Sequence, residues 1–114
     1  MKINLEMYRT QNGSCPYEEW FNELDAETAV RIGRSIFRMK DGNFSGCKSI
    51  KDGHVKGVFE RAMDFGPGWR VYYGRDGGTL VLLLTGGNKK SQRRDIEKAL
   101  EYWKDYKTRK GTET

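Results

Sequence analysis

Arg70 and Tyr72 stand two residues apart in the run Trp69-Arg70-Val71-Tyr72-Tyr73-Gly74. Strand alternation puts them on one side of that run and Trp69, Val71 and Tyr73 on the other. A guanidinium fork suits phosphate oxygens bidentately, and a phenol can stack on a base or shuttle a proton. Lys89, Lys90, Arg93 and Arg94 follow in a short cationic stretch. Such a stretch fits a polyanion, and equally the solvated face of a helix. Tyr72 and Tyr73 equally fit packing. The single histidine, His54, lies in the turn Lys51-Asp52-Gly53-His54. Cys15 and Cys47 form no CxxC pair, so the chain is poor in metal ligands and neither a metal nor a cofactor is expected. Gly86-Gly87 lacks the pattern of a phosphate loop and reads as a strand exit.

These residues must be positioned by a β-hairpin. Its arms are Trp69 to Gly74 and Thr79 to Gly87, joined by Asp76-Gly77-Gly78, a turn signal. The second arm is apolar on both faces, as in a strand buried within a sheet. Residues 2–9 alternate as a strand with Ile3, Leu5 and Met7 on one face. Cys15-Pro16 opens a helix with the stripe Tyr17, Trp20, Phe21 and Leu24. Asp25 caps a second helix to about Lys40, with Ala26, Ala29, Val30, Gly33, Ile36 and Phe37 expected inward. Cys47 to Ile50 is a weak extended piece. Residues 55–65 read as a strand in which Phe59, Arg61, Met63 and Phe65 share a face. Either the Arg61 stem packs there and its head escapes, or that face is exposed. Glu60 reads as the partner of a cross-strand arginine. Ser91 starts a last helix with Ile96, Ala99, Leu100, Trp103 and Tyr106 inward. The expected class is α+β, an antiparallel sheet with packed helices in the order β-α-α-β-β-β-α.

One domain over 1–114 is expected, with 108–114 as a flexible tail. Hydrophobic residues make up 36% and charged residues 32%, which excludes a disordered chain. No stretch approaches the roughly 20 apolar residues of a membrane helix, and the first residues lack the apolar run of a signal peptide. A cytoplasmic protein with two free thiols is expected. The formal charge of +5 is unevenly placed: residues 1–30 carry two cationic and six acidic side chains, residues 86–114 nine and five.

Glu19-Trp20-Phe21, Gly42-Asn43, Gly66-Pro67-Gly68-Trp69-Arg70-Val71-Tyr72-Tyr73, Leu82-Leu83-Leu84-Thr85-Gly86-Gly87-Asn88-Lys89 and Gln92-Arg93-Arg94-Asp95-Ile96, with Trp103, carry a resemblance. Over residues 15–106 the chain resembles the addiction-module killer proteins, a branch of the RelE/ParE superfamily of type II toxins. The resemblance implies a small microbial-RNase-like sheet and a cognate helix-turn-helix antitoxin. It implies ribosome-dependent, metal-independent cleavage of mRNA. Arg70, Tyr72 and Lys89 would be catalytic, and Arg61, Lys90, Arg93 and Arg94 would contact RNA. Two positions depart from the family pattern. Glu60-Arg61-Ala62-Met63 stands where relatives often read Glu-Leu-Arg-Ile, and Asn88 where Asp is often seen. The change at Ala62 motivates alternatives: a gyrase-type inhibitor of a protein target, or a degenerate toxin that mainly binds its antitoxin. An arginine on an open sheet face would contribute little to folding.

Overall fold

A computed structural model describes residues 2–112 of the chain. Five strands form one sheet: β1 (Asn4–Met7), β2 (Cys47–Ser49), β3 (Val58–Met63), β4 (Trp69–Asp76) and β5 (Leu80–Asn88). Three α-helices accompany them: α1 (Pro16–Asn22), α2 (Ala26–Phe37) and α3 (Gln92–Thr112). The chain order is therefore β-α-α-β-β-β-β-α, one strand more than expected. The extra strand is the weak piece at Cys47, which pairs with β3.

The spatial order is β1-β5-β4-β3-β2. β2 through β5 are antiparallel neighbours, but β1 joins β5 in parallel, Asn4 opposite Leu80 and Met7 opposite Leu83. The sheet is mixed, not wholly antiparallel. The helical hairpin between β1 and β2 returns the chain across one face, and only a crossover of that length permits parallel pairing.

Both faces of the sheet are covered. On one, Val71, Tyr73, Val81 and Leu83 pack with Ile3, Tyr17, Ile32 and Ile36 beneath α1 and α2. On the other, Tyr72, Leu82 and Leu84 pack with Ala99, Leu100 and Trp103 of α3. This explains why β5 is apolar on both faces from Leu80 to Leu84. Each face seats a tryptophan on a glycine. A Cβ on Gly86 would lie 2.4 Å from the Trp20 ring, and one on Gly74 would lie 2.1 Å from the Trp103 ring. Trp103 is fixed further by its indole N–H, which donates to the Lys56 carbonyl at 2.8 Å.

The helices start where the sequence says. Pro16 opens α1, and the Asp25 side chain accepts from the Thr28 amide at 3.1 Å. The buried side of α2 differs from expectation. Ile32, Ser35 and Ile36 point inward, while Val30 and Phe37 are 52% and 60% exposed. The reason is polar: Ser35 must face the sheet because Arg61 donates to its hydroxyl.

α3 runs to Thr112, so residues 108–112 are helix and not a tail; Glu113 and Thr114 lie outside the described residues. Its C-terminal half is tied twice. The Tyr8 hydroxyl donates to Asp105 at 2.5 Å, and Arg109 pairs with the same carboxylate at 2.7 Å. The Tyr106 hydroxyl donates to Asp76 at 2.8 Å, and Lys110 pairs with Asp76 as well. Hydrogen bonds from Lys110 and then Tyr106 hold the Asp76 carboxyl below its usual range, and the bond from Tyr8 does so for Asp105. Burial first, then these carboxylates, pushes Tyr8 and Tyr106 up to about 12.

Two outcomes follow for stability. Gly74→Ala drives a methyl into the Trp103 ring and should cost about 3 kcal/mol in urea denaturation, while Gly77→Ala at the open turn should leave Trp103 fluorescence unchanged. The carboxylate contribution is present above the ordinary Asp pKa and is lost as pH falls through the depressed values. The tyrosine contribution is complete below the ordinary pKa of 10.0 and is lost as pH rises from there to about 12. Protection of the amides along residues 102–110, relative to their intrinsic exchange rates, should therefore fall at both extremes and be greatest between them.

Candidate functional site

The site is built where the two outer ends of β4 and β5 meet the start of α3. Arg70 lies between Ala62 on β3 and Gly87 on β5, and Tyr72 lies between Glu60 and Thr85. All of these face α3. The helix lies close because Gly87 has no side chain: a Cβ there would sit 1.8 Å from the Asp95 carboxylate. Asp95 is itself buried and accepts from the Ser91 hydroxyl at 2.5 Å.

Glu60 is the electrostatic centre of this face. It is 1% exposed, and a carboxylate so buried needs counter-charge and donors. Gln92 Nε2 donates to its Oε1 at 2.6 Å. Its Oε2 lies 3.5 Å from Lys48 Nζ and 3.8 Å from Arg70 Nε. The same arginine donates through Nη1 to the carbonyls of Gly68 at 3.3 Å and Trp69 at 3.2 Å. Arg70 is thus held by Glu60 on one side and by the strand entry on the other. It is not the loosely held arginine of an open sheet surface.

Lys89 arrives at the same point. Trp69 pairs with Asn88, so Gly68 and Lys89 are the next residues out on the two strands. A Cβ on Gly68 would lie 3.3 Å from Lys89 Cβ and 3.6 Å from Arg70 Nη1, which places both side chains around one glycine. The turn that follows is fixed by Asn88, whose side-chain oxygen accepts from the Lys90 amide at 2.9 Å and the Ser91 amide at 3.1 Å. Asn at this position keeps the acceptor that Asp would supply. Lys89, Lys90, Arg93 and Arg94 are all exposed. Lys90, Arg93 and Arg94 line a hollow of about 540 Å³ with Asn88, Ser91 and the carboxylate of Glu97. Three cations against one acid give this end of the molecule a positive field.

Two expected site residues are elsewhere. Tyr72 is fully buried beneath α3, packed with Leu82, Leu84, Ala99 and Trp103. Burial, followed by the charge of Glu60, raises its pKa well above that of an exposed tyrosine. Its hydroxyl has no hydrogen-bond partner, and no substrate reaches it with α3 in place. Alternation assigned the correct side, but α3 covers that side. Arg61 is 4% exposed and faces α2 on the opposite surface. Its Nε donates to Ser35 Oγ at 2.7 Å, and its Nη1 to the Asn43 carbonyl at 3.0 Å and to Cys47 Sγ at 3.5 Å. The head neither escapes nor marks an exposed face. It ties β3 to α2 and to the turn after it, which leaves it unable to contact RNA phosphate.

Glu60 pairs with a cross-strand arginine, Arg70, as its place on the strand suggested, whereas Gln92 and Asp95 are the residues of this region whose roles sequence spacing did not reveal. Gln92 and Asp95 sit on a helix, and only its seat on Gly87 brings them to the sheet. His54 is exposed in its turn. Among the described residues no group of three or more His, Cys, Asp or Glu is placed to hold a metal ion, and no helix is long and apolar enough to cross a membrane.

Tyr72→Phe removes only an unpartnered buried hydroxyl, so unfolding free energy should change by less than about 1 kcal/mol. Ser35→Ala strips Arg61 of an acceptor and should cost about 1–2 kcal/mol by the same measurement.

The model of the phage-derived Gp49-like protein family (DUF891) matches residues 19–104, from α1 through Glu60, Arg70 and Lys89 into α3. A protein of Haemophilus influenzae (strain ATCC 51907 / DSM 11121 / KW20 / Rd), described as uncharacterised, is 38% identical over 84 residues. That alignment covers 73% of this chain and 81% of the relative. The match over most of the chain, including both strands and the basic turn that shape the site, shows that this protein belongs to the phage-derived Gp49-like family, which is associated with toxin–antitoxin systems.

Proposed function

We propose that this protein is the toxin of a toxin–antitoxin pair, of the RelE/ParE type, and that it cleaves mRNA on the ribosome under the control of a helix-turn-helix antitoxin. The observation that supports it is the meeting of Arg70 and Lys89 around Gly68, beside exposed Lys90, Arg93 and Arg94. Cleavage of this kind joins the ribose 2′-oxygen to phosphorus and expels the 5′-oxygen. The guanidinium of Arg70 stabilises the negative charge that builds on the phosphoryl oxygens. Lys89 is the acid that protonates the departing 5′-oxygen. Glu60 orients Arg70 and takes no part in the proton transfer. Removal of the 2′-proton therefore falls to the ribosome-bound substrate complex. Lys90, Arg93 and Arg94 hold neighbouring phosphates.

The burial of Tyr72 and Arg61 favours one second reading, a toxin that binds and blocks a protein target. Induced expression followed by primer extension separates the two. The ribonuclease reading expects new transcript ends within coding sequence and growth arrest. Lys89→Ala should lower cleavage by about 100-fold while leaving the thermal midpoint unchanged, because Lys89 is exposed. Arrested growth with intact transcripts would reject cleavage in favour of a protein target, and normal growth with intact transcripts would reject both.

A further inference from the structure

A second hollow adjoins the basic one. It measures about 640 Å³ and opens between β2, the loop after it and the first turns of α3. Glu60 and Gln92 form its floor, Ile50, Ile96 and Leu100 its apolar walls, and Lys48, Lys51 and Arg93 stand around it with Asp52 and Glu97. Arg93 and Glu97 line both hollows, so the two are neighbours.

We infer that this second hollow is a pocket for one guanine base of a single-stranded RNA whose phosphates run through the basic hollow beside it. Glu60 Oε2 lies 3.5 Å from Lys48 Nζ and 3.8 Å from Arg70 Nε, both long for a hydrogen bond, and keeps accepting capacity. Gln92 spends one amide N–H on Glu60 Oε1 and keeps another. The floor therefore presents acceptors beside a donor. On its Watson–Crick edge guanine alone places two adjacent N–H donors, at N1 and N2, next to an acceptor, O6. The carboxylate takes the two donors, and the free Gln92 N–H reaches O6. Adenine sets the N1 lone pair against the carboxylate. Cytosine and uracil each offer a single donor flanked by at least one lone-pair acceptor. The aliphatic walls take the faces of the ring, and Lys48, 69% exposed, can swing aside to admit it. The surrounding cations favour a guest carrying phosphate over a lysine or arginine side chain of a protein.

The inference rests on the reading of this end of the molecule as an RNA surface, but its test does not require cleavage. The full chain is titrated with 2′-O-methyl pentamers UUXUU, in which X is G, A, C, U or inosine, and the blocked 2′-oxygen prevents any reaction. The G pentamer should bind at least about tenfold more tightly than the other three standard bases, with inosine, lacking the N2 amino group, in between. Glu60→Gln should erase the preference while circular dichroism stays native. Since that variant also disturbs Arg70, the guanine–inosine comparison on the unaltered protein stands independently. Equal binding of all five pentamers overturns the pocket, as does a guanine preference that survives Glu60→Gln. Failure to bind any pentamer, with uptake of an arginine-rich peptide instead, overturns it in favour of a protein guest. A guanine preference without transcript cleavage in cells leaves the pocket standing and rejects the ribonuclease. Transcript cleavage without such a preference does the reverse.

Discussion

The close seating of α3 on the sheet is the constraint from which the rest follows. It is possible because Gly74 and Gly87 present bare backbone where the Trp103 ring and the Asp95 carboxylate come down. A helix so close leaves Tyr72 and Glu60 almost no exposed surface. Such burial forces Glu60 to find charged and donating neighbours, and those neighbours in turn fix Arg70. The same helix delivers Gln92 to Glu60 and starts in the turn that carries Lys89 and Lys90. Site geometry and core packing are therefore one arrangement.

The opposite face obeys a similar rule with other residues. There a buried guanidinium, Arg61, is satisfied by Ser35, the Asn43 carbonyl and Cys47. It dictates which side of α2 turns inward. The apolar residues displaced from that side, Val30 and Phe37, are left exposed. A polar requirement overrides hydrophobic periodicity on α2, where the apolar stripe is too broad to choose a single face.

Much of the fold was legible in local signals. The Asp-Gly-Gly turn and the apolar arms around it gave the β4–β5 hairpin, Pro16 and Asp25 gave the helix starts, and period 3.6 gave the inner stripe of α3. Pairing of β1 with β5 was not legible, because a parallel partner some 75 residues away leaves no mark on a four-residue strand. The end of α3 was misread since its last turns are held by Asp76 and Asp105 through tertiary bonds. For the site, Arg70 and Lys89 came from the family resemblance and do meet around Gly68. Alternation placed Tyr72 beside Arg70 but carries no information about what covers a face. The roles of Gln92 and Asp95 could not be read, since the contacts that define them cross the sheet–helix interface.

The path of α3 has a bearing on synthesis of the chain. Its residues reach back to Tyr8 and Arg9 at the beginning, to Asp76 at the hairpin turn and to Glu60 in mid-sheet. Trp103, which closes the second face, is translated after every strand that it covers. A nascent polypeptide that stops short of α3 would leave Leu82, Leu84 and Tyr72 uncovered, so that face and the turn seated on it become ordered only once α3 has been made.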